Sequence, residues 1–377
     1  MADVLVVAGE PSGDLHASVL VRELKARHPN LSVCAVGGAN LQQAGAHLLF
    51  DMMPLSVVGL TETLKHYGTF VRLLQWLVHW VRVYQPKVIC LVDFPGFNLR
   101  LAQALYRAGL SKKAGGSTYI YGYIAPQIWA WKARRRFKIA RWFDALGVIF
   151  PFEVACFADT NLKVNFVGHP LLQQQNPFRY DPNGSLLLLP GSRLGAVTRI
   201  FPLLKEAFGY LKKNCPSLRA IVPFPNDNVG SYVKNNLSPD VTTCPLSELD
   251  TGVCGALMSS GTASLQVAFT GIPGVVAYRA HPITFFFGKR LVKVPYLTMA
   301  NLLLKEEIYP EILQDTPSQA VVVAQQMEAF LNDPQTVRIR FTNGAQRLKE
   351  MLSTSPKHSA VEDVEWLLFP KKSHPSA

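Results

Sequence analysis

Four stretches of this chain place polar or charged side chains where a short apolar run gives out. In "LLLLPGSR" the run ends in Pro190, Gly191, Ser192 and Arg193. Gly191 lets backbone approach a ligand closely, Ser192 and free N–H groups suit phosphate oxygens, and Arg193 adds a bidentate cation. The bland alternative is a plain turn with a surface arginine. In "LMSSGTASLQVAF" the run meets Ser259, Ser260, Gly261 and Thr262 just before a helical pattern. A helix start of this kind binds anions, because its free N–H groups and its dipole point the same way. Simple N-capping by Ser260 or Thr262 is the alternative. Both stretches lie in the C-terminal half, so the two together suit one diphosphate.

The other two stretches lie in the N-terminal half. "LVDFPGFN" leaves a carboxylate, Asp93, at the end of an apolar run, with Pro95, Gly96 and Asn98 beyond it. "GEPSGD" puts Ser12 and Asp14 at the start of a helical run. It lacks the G-x-G-x-x-G spacing of a dinucleotide site, so helix capping and substrate contact both stay open for these two residues. The charge map is one-sided. Between Asp93 and Asp144 there is no acidic residue, against ten basic ones: Arg100, Arg107, Lys112, Lys113, Lys132, Arg134, Arg135, Arg136, Lys138 and Arg141. A solvated basic face explains this, and so does a surface for phosphate groups.

Residues 67–84, "YGTFVRLLQWLVHWVRVY", read as a helix in which Arg72, Gln75, His79 and Arg82 share a narrow stripe. Phe70, Trp76, Trp80 and several aliphatics fill a wide apolar arc. Such an arc suits a helix lying at a membrane interface, or one packed on a sheet. "PITFFFGKRLVK", residues 282–293 and including Phe286, has the same mix of aromatic and basic residues. No helix-turn-helix, zinc-finger or RNA-binding-sheet signature is present, so no nucleic-acid partner is expected.

Something must position these stretches. Short apolar runs alternate with helical ones along the whole chain: "VLVVAG", "LSVCAVGG", "KVICLVD", "STYIYGYIAP" and "DALGVIF", then "SLLLLPGSR", "LRAIVPF", "GALM" and "PGVVAYR". This pattern predicts βα units and parallel sheets buried on both faces. At 377 residues, with 49% hydrophobic and 17% charged residues, two domains are expected. The Pro/Asn/Gly-rich stretch at 176–184 reads as the linker between an N-terminal domain (1–176) and a C-terminal domain (184–345). The amphipathic tail, about 350–370, is expected to pack back on the first domain. The fold class is therefore α/β, with two Rossmann-like, doubly wound parallel-sheet domains facing a cleft, and ligands are expected outside the carboxyl ends of the strands. The six cysteines show no C-x-x-C and no zinc spacing, and read as reduced core residues of a cytosolic protein. The opening residues do not read as a signal peptide, and no run is long and apolar enough to span a bilayer. The net charge of +12 points to an anionic partner.

Taken in order, "VAGEPSGD", "DFPGFN", "APQIWAWKARR", "FVGHPL", "LLPGSR", "SSGTASLQ" and "KRLVKVPYLTMANLLL" resemble the lipid-A-disaccharide synthase family over about residues 5–314. The resemblance implies a GT-B glycosyltransferase, with an acceptor and membrane-contact domain at 1–176 and a UDP-sugar donor-binding domain at 184–345. It would join UDP-2,3-diacylglucosamine to 2,3-diacylglucosamine 1-phosphate with inversion, giving a β-1,6 disaccharide 1-phosphate and UDP in lipid A biosynthesis. It implies Asp93 as catalytic residue, either general base or acceptor clamp, and Asn98 as a group orienting substrate or loop. Substrate contacts are implied for Ser12, Ser192, Arg193, Ser260, Gly261, Thr262, Gln266 and Asn301. No metal or cofactor is implied. Membrane contact falls to Phe70, Trp76, Trp80 and Phe286, on a protein held peripherally at an anionic inner-membrane surface from the cytoplasm. A homo-oligomer is left open. The sequence departs from the family pattern at Gln266, where a glutamate is usual, at Ala196, and at Met299-Ala300 before Asn301. His169 in "VGHP" reads as a structural strand-end residue. The rival readings are a GT-B enzyme such as a UDP-sugar 2-epimerase, and a non-catalytic UDP-sugar binder at a membrane.

Overall fold

The computed structural model describes residues 2–56, 67–130, 132–172, 175–279, 294–353 and 358–370. The stretch carrying Phe286 lies outside the described residues. The chain divides into two compact units, Met1–Pro170 with Ser353–Ala377, and Leu171–Leu352.

The first unit is built on a seven-stranded sheet: β1 (Val4–Ala8), β2 (Val33–Gly37), β3 (His47–Asp51), β4 (Val88–Val92), β5 (Tyr119–Tyr123), β6 (Ala145–Val148) and β7 (Lys163–Phe166). The second carries β8 (Tyr180–Leu189), β9 (Ala220–Phe224), β10 (Val241–Pro245), β11 (Val253–Met258), β12 (Gly274–Tyr278) and β13 (Glu311–Leu313). Strand orders are β3-β2-β1-β4-β5-β6-β7 and β10-β9-β8-β11-β12-β13. The pairs that flank the reversals, β1 with β4 and β8 with β11, are parallel. β1, β2 and β4 are buried at every position, which is why they carry unbroken apolar runs rather than alternation. Tyr180 to Gly184, expected as linker, instead form the leading part of β8.

The helices of the two units include α1 (Pro11–Arg27), α2 (Tyr67–Tyr84), α3 (Pro95–Arg107), α4 (Leu194–Asn214), α5 (Thr262–Thr270), α6 (Met299–Leu304) and α7 (Ala360–Leu368). Pro11 and Pro95 stand in the first turns of α1 and α3, where a missing N–H costs nothing. α7 starts on a capping box: the Glu362 N–H donates to Ser359 Oγ, and Glu362 accepts the Ser359 N–H. It buries Val361, Val364, Leu367 and Leu368 against Leu20, Val21 and Leu24 of α1 and against Tyr121. Each such aliphatic contributes roughly 1.5–3 kcal/mol. The exposed Arg27–Glu365 pair at 3.0 Å adds only about 0–1 kcal/mol.

One polar contact of α7 is buried. Asp363 accepts a hydrogen bond from the hydroxyl of Tyr121, at 3.2 Å, and another from the Asn165 amide. Tyr121 is wholly buried, and burial beside Asp363 pushes its hydroxyl well above its ordinary range. Asp363→Leu would orphan that hydroxyl, at a cost of about 1–3 kcal/mol. We expect a lower urea midpoint for the first unit; an unchanged midpoint would show that α7 is held by its apolar face alone.

Candidate functional site

In each unit the strand order reverses beside the first strand, so the loops leaving two adjacent strand ends run apart. In the first unit these strands are β1 and β4. Asp93 follows β4 directly, partly exposed. Its N–H donates to the Tyr123 carbonyl at 2.9 Å. Asp93 and Phe94 both take left-handed conformations, with φ of +47° and +48°. A Cβ built on Gly13 would lie 3.7 Å from the Asp93 Cβ, so the carboxylate stands beside the first turn of α1. The N-cap of that helix, Glu10, makes no side-chain capping bond. The positive end of α1 therefore faces the site. Ser12 sits partly exposed in the same turn.

Two residues of this corner are committed to the chain itself. Asp14 is buried and accepts hydrogen bonds from the N–H groups of Gly38, at 2.7 Å, and Asn40, at 3.1 Å. It ties the loop after β1 to the loop after β2. Asn98 is also buried, and its amide donates to the carbonyls of Val92 and Asp93 at 3.1 and 2.7 Å. Of the two roles the resemblance implied for Asn98, its donors serve the loop.

In the second unit the diverging loops follow β8 and β11. Gly191 has φ +118°, a conformation that L side chains rarely adopt. A Cβ there would also come within 3.4 Å of Ser259 Oγ, so the two loops touch. Arg193 is exposed and N-caps α4 without a side-chain capping bond. Gly261 does the same for α5, and both Gly261 and Thr262 are exposed. Two uncapped helix starts and a guanidinium therefore stand at neighbouring strand ends. The alternative read for Ser260 and Thr262, N-capping of α5, does not hold: the Ser264 hydroxyl accepts the Gly261 N–H and donates to the Gly261 carbonyl, which leaves the first N–H groups of the helix without a side-chain cap. Sequence reading missed Ser264; its position three residues after Gly261 was the available signal. Gln266 lies one turn beyond Thr262 on the same helix face, partly exposed. Its backbone carbonyl accepts from the Asn176 amide at 2.7 Å.

The hydrogen-bonding capacity of Asn301 is filled by the chain. Its Nδ2 donates to Tyr309 O and Glu311 Oε1, and its Oδ1 accepts from the N–H groups of Ile308 and Tyr309. The expectation of direct substrate contact gives way to a structural role. Glu311 also accepts the N–H groups of Leu297 and Thr298, and the Leu297 carbonyl accepts the Ser260 hydroxyl at 2.7 Å. Asn301 thus helps to hold the loop that starts α5.

Glu153, His16 and His169 are buried ionisable groups of the first unit. Glu153, also missed from sequence, accepts hydrogen bonds from Trp129 Nε1 and from the Phe150 N–H, both at 3.1 Å. Burial nonetheless pushes its carboxyl up to about 7. His169 packs on the Phe150 ring, at 5.1 Å between centroids. Burial takes His169 down to about 3 and His16 to about 4. Both imidazoles are therefore neutral at neutral pH.

The membrane-contact expectation is corrected in part. Trp80 is buried with Leu73, Leu77 and Val81 in the core under α2. Phe70 packs against the rings of Phe94 and Phe97, at 6.2 and 6.0 Å. Trp76 is 41% exposed, and Arg72, His79, Arg82 and Val83 stand exposed around it. The helix is hydrophobic on most of its circumference because one side serves the core; the Trp76 side does not. Of the basic cluster, Arg136 is spent on Asp159, at 2.6 Å. No helix among the described residues is long and apolar enough to cross a membrane.

A family model described as LpxB, lipid-A-disaccharide synthetase, matches residues 4–362. The chain is 33% identical over 386 residues to a lipid-A-disaccharide synthase of Geobacter metallireducens, covering 98% of both chains. It is 34% identical over 386 residues to lipid-A-disaccharide synthase 1 of Legionella pneumophila strain Philadelphia 1, again covering 98% of both. Among solved structures, it is similar to a UDP-GlcNAc 2-epimerase from Neisseria meningitidis bound to UDP-GlcNAc, with TM-score 0.58 and 13% identity, covering 93% of this chain and 99% of that one. It is also similar to the glycosyltransferase CalG4 of calicheamicin, with TM-score 0.53 and 14% identity, covering 98% of both. At these identities the solved structures establish the fold alone, two parallel-sheet α/β domains of the GT-B kind.

Glu153 supplies a pH test. Its folded-state pKa of about 7 exceeds the ordinary 4.5, so between these values the folded protein keeps a proton that the unfolded chain has lost. Stability from this group is full below about 4.5 and falls as pH rises through about 7. His16 and His169 act in the opposite sense, losing stability as pH falls below 6.5. Comparing Glu153→Gln with the parent cancels the histidine contribution. The melting temperature of the variant relative to the parent should rise between pH 5 and about pH 8; a constant difference would refute the raised pKa.

Proposed function

The chain belongs to the lipid-A-disaccharide synthase family and is a glycosyltransferase of lipid A biosynthesis; on that premise we propose that it transfers 2,3-diacylglucosamine from its UDP derivative to the 6-hydroxyl of 2,3-diacylglucosamine 1-phosphate, with inversion. Asp93 takes the hydroxyl proton as general base. The acceptor oxygen forms the new bond to the anomeric carbon as the bond from that carbon to the diphosphate oxygen breaks. UDP leaves carrying the electron pair. A single displacement inverts the sugar carbon and needs one base.

The observation that supports this reading is the distribution of charge over the two switch points. The corner after β4 offers a partly exposed carboxylate, and the corner after β8 and β11 offers Arg193 with two uncapped helix starts. The second corner suits a diphosphate leaving group, whose developing charge the guanidinium and N–H groups stabilise. Ser192, Gly261 and Thr262 line it. Gln266 would accept from the ribose hydroxyls through its carbonyl oxygen, more weakly than a carboxylate. Ser12, beside Asp93, would contact the acceptor. The basic surface of the first unit suits the acceptor phosphate. Because both substrates carry acyl chains, the enzyme must work at a lipid surface, and the exposed Trp76 with Arg72 and Arg82 fits an anionic one.

A UDP-sugar 2-epimerase, the rival reading, would share this fold but would need no acylated acceptor. The assay that separates them offers the purified protein UDP-diacylglucosamine with and without diacylglucosamine 1-phosphate. UDP should appear only with the acceptor, along with disaccharide; equal release without it would sink the synthase reading. Asp93→Asn should lower turnover by about 10²-fold or more, and wild-type rates from that variant would remove Asp93 from the chemistry.

For the surface, Trp76→Glu should reduce cosedimentation with anionic vesicles while leaving the melting temperature unchanged. Trp80→Glu should instead lower the melting temperature, since it buries a charge in the core. Undiminished vesicle binding by Trp76→Glu would reject this face as the docking site.

A further inference from the structure

The backbone at Asp93 is held more firmly than a strand end requires. Asp93 and Phe94 are consecutive non-glycine residues with φ near +50°, a conformation that L side chains rarely adopt. The two peptide planes flanking the Asp93 Cα are both pinned. The plane before it is held at the Val92 carbonyl by Asn98 Nδ2, at 3.1 Å, and at the Asp93 N–H by the Tyr123 carbonyl, at 2.9 Å. The plane after it is held at the Asp93 carbonyl by the same Nδ2, at 2.7 Å. One side-chain amide therefore bridges the carbonyls on either side of one Cα. Its own Oδ1 is buried without a hydrogen-bond partner among the described residues. A buried orphan acceptor is destabilising. That the site tolerates it shows that only the donor half of the amide is used.

The Phe94 ring completes the clamp. It occupies the space where a side chain on Gly9 would begin: a Cβ there would meet Phe94 Cδ1 at 2.1 Å and Cγ at 2.5 Å. Gly9 follows β1 and Phe94 follows Asp93 after β4, so the ring bridges the two diverging loops. Phe70 and Phe97 back it, at 6.2 and 6.3 Å. The Phe94 carbonyl accepts the N–H groups of Phe97 and Asn98, which starts α3.

We propose that Asn98 and Phe94, with Gly9 as the socket for the ring, are positioning residues that hold the left-handed turn aiming the Asp93 carboxylate. The proposal rests on the reading of Asp93 as the base. Neither residue touches the reacting atoms; both act through Asp93. A purely structural residue, or one that binds substrate itself, would affect the enzyme whether or not Asp93 is an acid.

The test is a double-mutant comparison. Asn98→Leu and Phe94→Ala are each made in the parent and in Asp93→Asn, and kcat and both KM values are measured with the two acylated sugars. In the parent, each should lower kcat by about 10–100-fold, the scale of a misplaced catalytic group, with donor KM unchanged. In the Asp93→Asn background the same changes should be nearly silent, within about 2-fold, because the group they position is gone. Equal losses in both backgrounds, or no loss in the parent, overturn the proposal. If Asn98→Leu fails to fold, Phe94→Ala carries the comparison, because its ring is partly exposed and its loss is better tolerated. Wild-type turnover from Asp93→Asn alone is a different result: it overturns the base assignment first, and this proposal with it.

Discussion

A parallel sheet that reverses its strand order leaves two adjacent strands whose following loops run in opposite directions. Between the diverging loops the sheet end is open, and no helix can cover it. Both sheets of this protein meet that constraint, between β1 and β4 and between β8 and β11. Everything with a chemical use depends on it. Asp93 and the start of α1 stand at the first opening, and Arg193 and the starts of α4 and α5 at the second. Helix starts gather there because each βα unit turns its helix back from the carboxyl end of its strand. The N-terminal ends of the helices, with their unpaired N–H groups, arrive where the ligand does.

Ionisable groups of this chain are sorted by solvation. Glu153, His16 and His169 are buried, and burial holds all three toward their neutral forms. Asp14 is buried too, but its charge is met by two backbone N–H groups. Asp93 and Arg193 keep access to water.

The helix α2 shows a second division of labour. Its Leu73, Leu77 and Trp80 face seal the core. Phe70, on the same helix, backs the ring of Phe94 beside Asp93. The opposite face carries Trp76 among basic residues. One helix therefore joins the packing of the candidate catalytic corner to the face proposed to meet lipid, an arrangement suited to an enzyme whose substrates are partly embedded in a bilayer.

Much of this is written in local sequence. A strand buried on both faces must be apolar at every position, so "VLVVA", "VICLV" and "LLLL" are readable as parallel strands without any structure. Polar residues that directly follow such runs must lie at carboxyl ends, so Asp93, Arg193 and the Ser259–Thr262 turn were readable as strand-end groups. Tertiary structure decided how each polar group spends its hydrogen bonds. Asn98 and Asn301 look alike in sequence to a ligand-binding amide, but their partners lie in their own unit: backbone carbonyls and N–H groups and, for Asn301, the Glu311 carboxylate ten residues away. Ser260 does not cap α5, because the Leu297 carbonyl claims its hydroxyl from 37 residues away. Trp76 and Trp80 lie in one apolar arc, and only the sheet beneath determines which is covered. Periodicity reports that a face is apolar, whereas burial depends on what the rest of the chain brings against it.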